Sequence, residues 1–172
     1  MEGKKLSGIT LIETILYLGL AVIVLGVLFS YGWNIIGINI KSQVVQETER
    51  SAQLVGERLA SEIRRADSVD SANSTFGIPA KLTLLTAGEI VVIEDAGNQI
   101  TLKRGLADPV SLNSQNVQIK NFVLTQQVSD TGEVQYVGFS FEAVADYPGS
   151  ANRSEYQYSL PFSSGVALRT TH

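Results

Sequence analysis

The chain has 172 residues and a formal net charge of −4, which gives it no basic field for holding nucleic acid. Hydrophobic residues make up 44% of it and charged residues 17%, a balance too apolar for a disordered protein. Cysteine is absent and the one histidine is His172, so disulfides, thiolate metal sites and most histidine chemistry are excluded.

An apolar block occupies residues 9–40, between Lys5 and Lys41, and Glu13 is its only charged side chain. About 20 apolar residues in a helix cross a bilayer, so the block predicts one membrane-spanning helix. It is longer than the apolar core of a cleaved secretory signal, roughly 7–15 residues, and no Ala-x-Ala cleavage site follows it. A simple signal anchor remains the alternative.

The residues at the two ends of the block predict its orientation. Lys4 and Lys5 precede it, and positive charge tends to stay in the cytoplasm. Tyr31 and Trp33 lie toward the far end, where amphipathic rings favour the membrane interface. We therefore expect a single-pass protein of the cytoplasmic (inner) membrane, with its N-terminus inside and the chain after Lys41 exported.

Glu13 is the residue of the block that most needs an explanation. A carboxylate at the centre of a bilayer costs about 2.5 kcal/mol or more, and charged residues in such segments usually have a function. The other interpretation places Glu13 near the cytoplasmic interface, where the cost is smaller. Position alone leaves both open.

The start of the chain combines a short basic leader, Gly8, Ile9 and the string Thr-Leu-Ile-Glu at residues 10–13, directly before the apolar run. This combination resembles the class III signal of type IV prepilins and type II secretion pseudopilins. The resemblance implies cleavage after Gly8 by a prepilin peptidase and N-methylation of Ile9. It also implies a role for Glu13 in filament assembly.

The chemistry of Glu13 fits that resemblance. The new amine on Ile9 would be positive, and residues four apart share a face of a helix. In an apolar filament the Glu13 carboxylate can neutralise the amine of a neighbouring subunit, because opposite charges attract strongly in a low dielectric. A pair between Glu13 and the Ile9 amine of its own chain is equally open.

Gly19, Gly26 and Gly37 are separated by seven and eleven residues. At about 100° per residue they fall within roughly 20° of one another on a helix. A stripe of small residues lets helices approach closely in an apolar medium, which predicts helix packing here. The alternative is that glycine is simply frequent in membrane helices.

After residue 40 the pattern becomes amphipathic, and we predict one helix over residues 10–66, about 85 Å long. The charged residues, Glu62 among them, are interpreted as a solvated face. The predicted buried face recurs every three or four residues and consists of Val44, Thr48, Ala52, Val55, Leu59, Ile63 and Ala66.

The remainder predicts β-structure, with hairpin turns at residues 95–98 and 129–132. Sequential strands joined by short turns imply an antiparallel sheet, which would pack against the helix. The fold class is therefore α+β. The predicted strands are residues 81–86, 90–94, 99–104, 117–128, 134–144, 156–161 and 166–169.

The domain organisation that follows is a leader (1–8), a transmembrane and filament-core helix (9–40), an amphipathic continuation (41–67) and a β-rich globular head (68–172). Residues 58–66, the loop at Gly77 and residues 117–122 resemble the J-type minor pseudopilins and W-type minor pilins. This resemblance implies the pilin fold and a minor subunit. No constellation for catalysis, metal or cofactor binding is predicted, so we do not expect an enzyme.

The predicted function is a minor pilin or pseudopilin that joins a type IV pilus-like or type II secretion filament, at its initiation or tip. The implied partners are the prepilin peptidase, other pilins through the N-terminal helix, the membrane and, indirectly, an assembly platform and its motor. Nucleic acid is not expected. The alternatives are a major pilin and a membrane-anchored extracytoplasmic binding module.

Overall fold

The computed structural model describes residues 10–130, 132–150 and 153–168, apart from the side chain of Asn34. The chain divides into two compact units, Met1–Ile40 and Lys41–His172, and each is described by itself. Its helix, α1, runs over Leu11–Arg65, so the predicted helix is confirmed to within one residue at either end. The second unit holds the end of α1 and all the strands, and we call it the head.

The head contains two antiparallel sheets, one of five strands and one of three. Neighbours within each sheet are also neighbours in sequence, and most are joined by short turns, whereas residues 70–80 and 146–158 form longer connections. The strands are β1 (Ser68–Val69), β2 (Lys81–Thr86), β3 (Glu89–Asp95), β4 (Ile100–Arg104), β5 (Val110–Ser111), β6 (Val117–Val128), β7 (Val134–Ala145) and β8 (Ser159–Ala167).

A single hydrophobic core joins the helix to the inner faces of both sheets, which confirms the α+β class. Alternate side chains of β7 such as Val137, Phe139 and Phe141 point into it, as the alternating pattern predicts. Every residue of the predicted helix face is buried, namely Val44, Thr48, Ala52, Val55, Leu59, Ile63 and Ala66.

Both predicted hairpin turns lie where strands reverse. Between β3 and β4 the Asp95 carboxylate accepts a hydrogen bond from the backbone N–H of Gly97 at 2.9 Å, and Gly97 has a φ of 90°. Between β6 and β7, Gly132 has a φ of 87°. Glycine is needed at both positions because other residues rarely adopt such angles.

The strands form two sheets rather than one, and the last strand differs from its prediction. Residues 159–167 form a single strand, β8, whereas residues 154–156 form a 3-10 turn and Arg169 lies outside the described residues. The run Ser-Ser-Gly continues the strand, with unbroken pairing to β7, and a Cβ at Gly165 would overlap the Tyr136 phenol. The two-residue strands β1 and β5 were not predicted.

Gly56 lets the helix approach β8, and we expect Gly56→Ala to destabilise the head by about 2 kcal/mol. An added Cβ would overlap the Phe162 ring. That ring is itself stacked on Phe141 at 5.1 Å between centroids, so it cannot easily retreat. Thermal unfolding of the protein in detergent micelles, followed by circular dichroism, measures the change.

The matched control is Gly19→Ala, on the same helix, where an added Cβ meets nothing within 4 Å. It should leave the unfolding of the head unchanged. A head that becomes about 1 kcal/mol more stable with alanine at position 56 would contradict the packing role of Gly56, since that is the gain expected from helix propensity alone.

Candidate membrane and assembly segment

The first part of α1 presents an apolar surface that no other described residue covers. All described residues from 10 to 31 are exposed, with Leu11 at 82% and Phe29 at 73%. By length and composition the helix can cross a membrane: its most apolar window of 18 residues has a mean hydropathy of 2.5. None of that window is buried, which distinguishes it from the core helix of a soluble protein.

Thr10 and Glu13 shape the beginning of the helix. The backbone N–H of Glu13 donates to the carbonyl of Thr10 at 3.1 Å and lies 3.4 Å from its Oγ1. Thr-x-x-Glu is the spacing of a helix capping box, and an acid in the first turn also interacts favourably with the helix dipole. The contact between the Glu13 N–H and Thr10 Oγ1 is the half of this box that the structure shows, and it was not predicted although the spacing was visible in the sequence.

The carboxylate of Glu13 is exposed, and the Tyr17 hydroxyl lies 3.5 Å from its Oε1. Among the residues that the structure describes, no cation lies within ion-pair distance of Glu13. The two processing residues, Gly8 and Ile9, lie outside those residues, so the pair between Glu13 and the Ile9 amine stays a prediction.

The predicted glycine stripe lies on a regular part of α1. Helical geometry therefore puts Gly19, Gly26 and Gly37 on one side of it. A Cβ added at any of the three would meet nothing within 4 Å. No contact among residues 10–130, 132–150 and 153–168 accounts for these glycines, and their role in packing between helices stays a prediction.

No protein-family model, curated protein or solved structure matches this chain. A functional assignment therefore rests on its own residues and their geometry. Across residues 10–130, 132–150 and 153–168, no group of three or more histidine, cysteine, aspartate or glutamate side chains is placed to hold a metal ion.

Glu62 corrects the prediction of a solvated charged face, because it is only 1% exposed. Arg104 Nη2 lies 2.6 and 2.7 Å from the two carboxylate oxygens of Glu62, and Arg58 Nε lies 3.2 Å from one of them. The pair ties the helix to the end of β4. The available signal was spacing: Glu62 follows Val55 by seven residues, so both lie on the same side of the helix.

Glu47 forms a second set of polar contacts between the helix and the rest of the head. Its carboxylate accepts hydrogen bonds from the Tyr147 phenol, from Ser114 Oγ at 3.1 Å and from Asn116 Nδ2 at 3.2 Å. The bond from Tyr147 is the main cause that lowers the pKa of Glu47 below its usual 4.5, against the opposing effect of burial. Burial is the main cause that raises the pKa of Tyr147 to about 12, and the Glu47 carboxylate is the second cause.

These shifts predict how the contribution of this bond depends on pH. A lowered carboxyl pKa stabilises the fold above about pH 4.5, and that stabilisation is lost as the pH falls through the folded-state value. A raised phenol pKa stabilises the fold below pH 10, and that part is lost as the pH rises toward 12.

Tyr147→Phe should therefore reduce the free energy of unfolding by about 1 kcal/mol at pH 7, at the low end for a bond to a charged group because both side chains are partly exposed. The difference from the wild type should shrink below pH 4.5 and above pH 10. Urea unfolding at a series of pH values measures it, with Glu47→Gln as the control that loses the acid limb and keeps the part of the alkaline limb that comes from burial of Tyr147. A difference independent of pH would contradict the assignment.

Proposed function

We propose that this chain is a type IV pilin-like structural subunit, processed after Gly8 and incorporated through its N-terminal helix into a type IV pilus-like or type II secretion filament. One observation carries the proposal. The first part of α1 is an exposed apolar segment with a single carboxylate, Glu13, and its last part is packed into the core of a β-rich head. A plain anchor has no need of that acid in an apolar helix.

The orientation is part of the proposal. The basic residues Lys4 and Lys5 stay in the cytoplasm and the head lies outside, with Tyr31 and Trp33 near the outer interface. Both aromatic side chains are exposed, at 67% and 74%, and so are free to meet lipid headgroups. Before assembly the subunit is held in the membrane, and afterwards the same helix lies in the filament.

In the filament, Glu13 pairs with the N-methylated amine of Ile9, and this pairing sets the axial register of the subunits. An unpaired charge in such an interior is strongly penalised, so only registers that bring the two groups together are stable. Gly19, Gly26 and Gly37 allow close approach of helices along one side. The platform and its motor supply the energy, and the subunit acts at the initiation or tip of the filament.

Intact mass spectrometry of protein extracted from the membranes of cells with an active prepilin peptidase tests the processing step. The wild type should lack residues 1–8 and carry one added methyl group. Gly8→Ala should keep its leader, because the peptidase needs close access to the backbone at this position. Ser7→Ala is the control and should be cleaved. A wild-type protein that still begins with Met1 would overturn the proposal.

One observation favours the membrane-anchored binding module as a second candidate. On the outer face of the five-stranded sheet, Leu85 and Ile90 are cross-strand neighbours and are exposed by 38% and 51%. Leu106, in the loop after β4, is fully exposed. Ile90 and Leu106 line the same surface pocket, and contiguous exposed apolar groups mark interaction sites. A binding module would keep its activity when Glu13 is replaced, whereas a filament subunit would not assemble.

A further inference from the structure

The helix of the head is held in two different ways along its length. From Ala52 to Ala66 its inward side chains belong to the hydrophobic core that it shares with both sheets. Val44, about two turns before Ala52, is buried at 2% exposure, and Val45 is partly buried, but neither belongs to that core. Residues 44–51 therefore lie outside the apolar packing that holds the rest of the helix in place.

Hydrogen bonds from four side chains reach residues 44–51 instead. None of the four lies in a strand, because each belongs to a connection next to β6, β7 or β8. We call them the clamp, and they are Ser114, Asn116, Tyr147 and Tyr158. The first three donate to the Glu47 carboxylate, and the Tyr158 phenol donates to Glu49 Oε1 at 3.2 Å. The backbone N–H of Ser114 also donates to Ser51 Oγ at 3.3 Å.

The packing around these bonds is open. Glu47 and Glu49 lie about 200° apart around the helix, with the buried Thr48 between them, so the clamp contacts both flanks of the buried face. A cleft of about 710 Å³ lies along the same turns, lined by Arg50 of the helix and by Leu112 of the connection before β6, among others. A segment with few apolar contacts and partly exposed hydrogen bonds opens at a lower free energy than a packed core.

We propose that the clamp opens on its own, so that residues 44–51 leave the four clamp side chains while the core from Ala52 onward and both sheets stay folded. In the open state the sheets can turn about these first turns of the head without losing their core. For the proposed function, such a joint lets the sheets settle against neighbouring subunits after the helix has found its register. The opening itself needs neither cleavage nor Glu13, so its test stands apart from that of the proposed function.

Thiol labelling measures the opening, since the chain has no native cysteine. Val44→Cys reports on the clamp and Val55→Cys on the core, because both positions are at most 2% exposed and a thiol there reacts only after an opening. A water-soluble maleimide is added to the full-length protein in detergent micelles. Each rate is divided by that of an exposed neighbour, Gln43→Cys or Gln53→Cys. The normalised rate at position 44 should be about tenfold higher than that at position 55, or more.

Leu59→Ala separates a local opening from global unfolding. This core substitution destabilises the closed and the open clamp equally, because the core is intact in both, so labelling at position 44 should change less than about twofold. Labelling at position 55 requires loss of the core, and it should become faster by about thirtyfold or more.

Urea below the unfolding transition gives the same comparison without a core substitution. The labelling rate at position 55 should rise steeply with urea, and the rate at position 44 only weakly, since a local opening exposes little surface. Equal responses at the two positions, to Leu59→Ala or to urea, would overturn the proposal.

Tyr147→Phe tests whether the clamp side chains keep the segment closed. It removes one hydrogen bond to Glu47 and should speed labelling at position 44 about fivefold. Tyr136→Phe is the control, because it removes a phenol that lies on β7 and outside the clamp, and it should leave this rate unchanged. An equal effect of the two variants, or no effect of Tyr147→Phe, would overturn the proposal.

Discussion

Glu13→Gln is expected to lower incorporation of the protein into filaments at least a hundredfold while the helix and the head stay folded. Glutamine is uncharged, so the Ile9 amine of the processed subunit would be left without its partner. Removing one member of a buried ion pair costs about 3–5 kcal/mol, which corresponds to more than a hundredfold in an equilibrium constant. The measurement is the ratio of subunit in sheared filaments to subunit in membranes.

The geometry at the start of α1 supplies a matched control. Glutamine serves as well as glutamate in a capping box, so Glu13→Gln keeps the helix start and loses only the charge. Thr10→Val does the reverse: it removes the Oγ1 that lies 3.4 Å from the Glu13 N–H and keeps the carboxylate. Its cost is about 1 kcal/mol of helix stability, and the subunit should still assemble.

The pair of variants separates two explanations of the same residue. If Thr10→Val assembles as poorly as Glu13→Gln, the acid acts as a helix cap. If both assemble normally, Glu13 has no role in assembly. If the wild type itself is absent from filaments, the binding-module interpretation is favoured. A defect confined to Glu13→Gln, with cleavage after Gly8 unchanged by mass spectrometry, is the expected result.

The sequence was sufficient where one repeating pattern determines the structure. Residues such as Val44, Val55 and Ile63 recur with the period of a helix and all three are buried. In β7 the period of two likewise predicted which side chains are buried, because alternate side chains of a strand point to opposite faces. In both cases the signal lies within a few neighbouring residues, so no knowledge of distant partners was needed.

It was insufficient where a structural feature depends on residues far apart in the chain. Arg104 meets Glu62 across 42 positions, and Tyr147 meets Glu47 across 100. No local pattern records the partner in such a pair. The spacing from Val55 placed Glu62 on the buried side, but without a visible partner this charged helix residue was interpreted as solvated. The prediction missed the continuity of β8 for the same reason, since the strand is held along its length by pairing with β7.

The Arg104–Glu62 pair leads to the largest expected loss of stability in the head. Arg104→Ala should lower the free energy of unfolding by about 3 kcal/mol, because Glu62 is 1% exposed and would stay buried with a weaker partner. The cost is at the lower end for a buried pair because the Arg104 side chain is 36% exposed and Arg58 remains. Urea unfolding at pH 7, followed by circular dichroism, measures it.

Two further variants show that the penalty comes from an unpaired buried charge. Arg58→Ala removes a partner whose side chain is 51% exposed, and it should cost less than about 1 kcal/mol. Glu62→Leu combined with Arg104→Leu removes both charges and should regain most of the stability that Arg104→Ala loses, since replacing a whole buried pair with apolar side chains is often neutral. If the double variant is less stable than Arg104→Ala, the pair contributes net attraction and the desolvation argument is wrong. If the double variant is more stable than the wild type, the carboxylate is kept in the core for a reason other than stability. The alignment of α1 against β4, which a charged pair fixes more narrowly than two leucines, is then the property to measure.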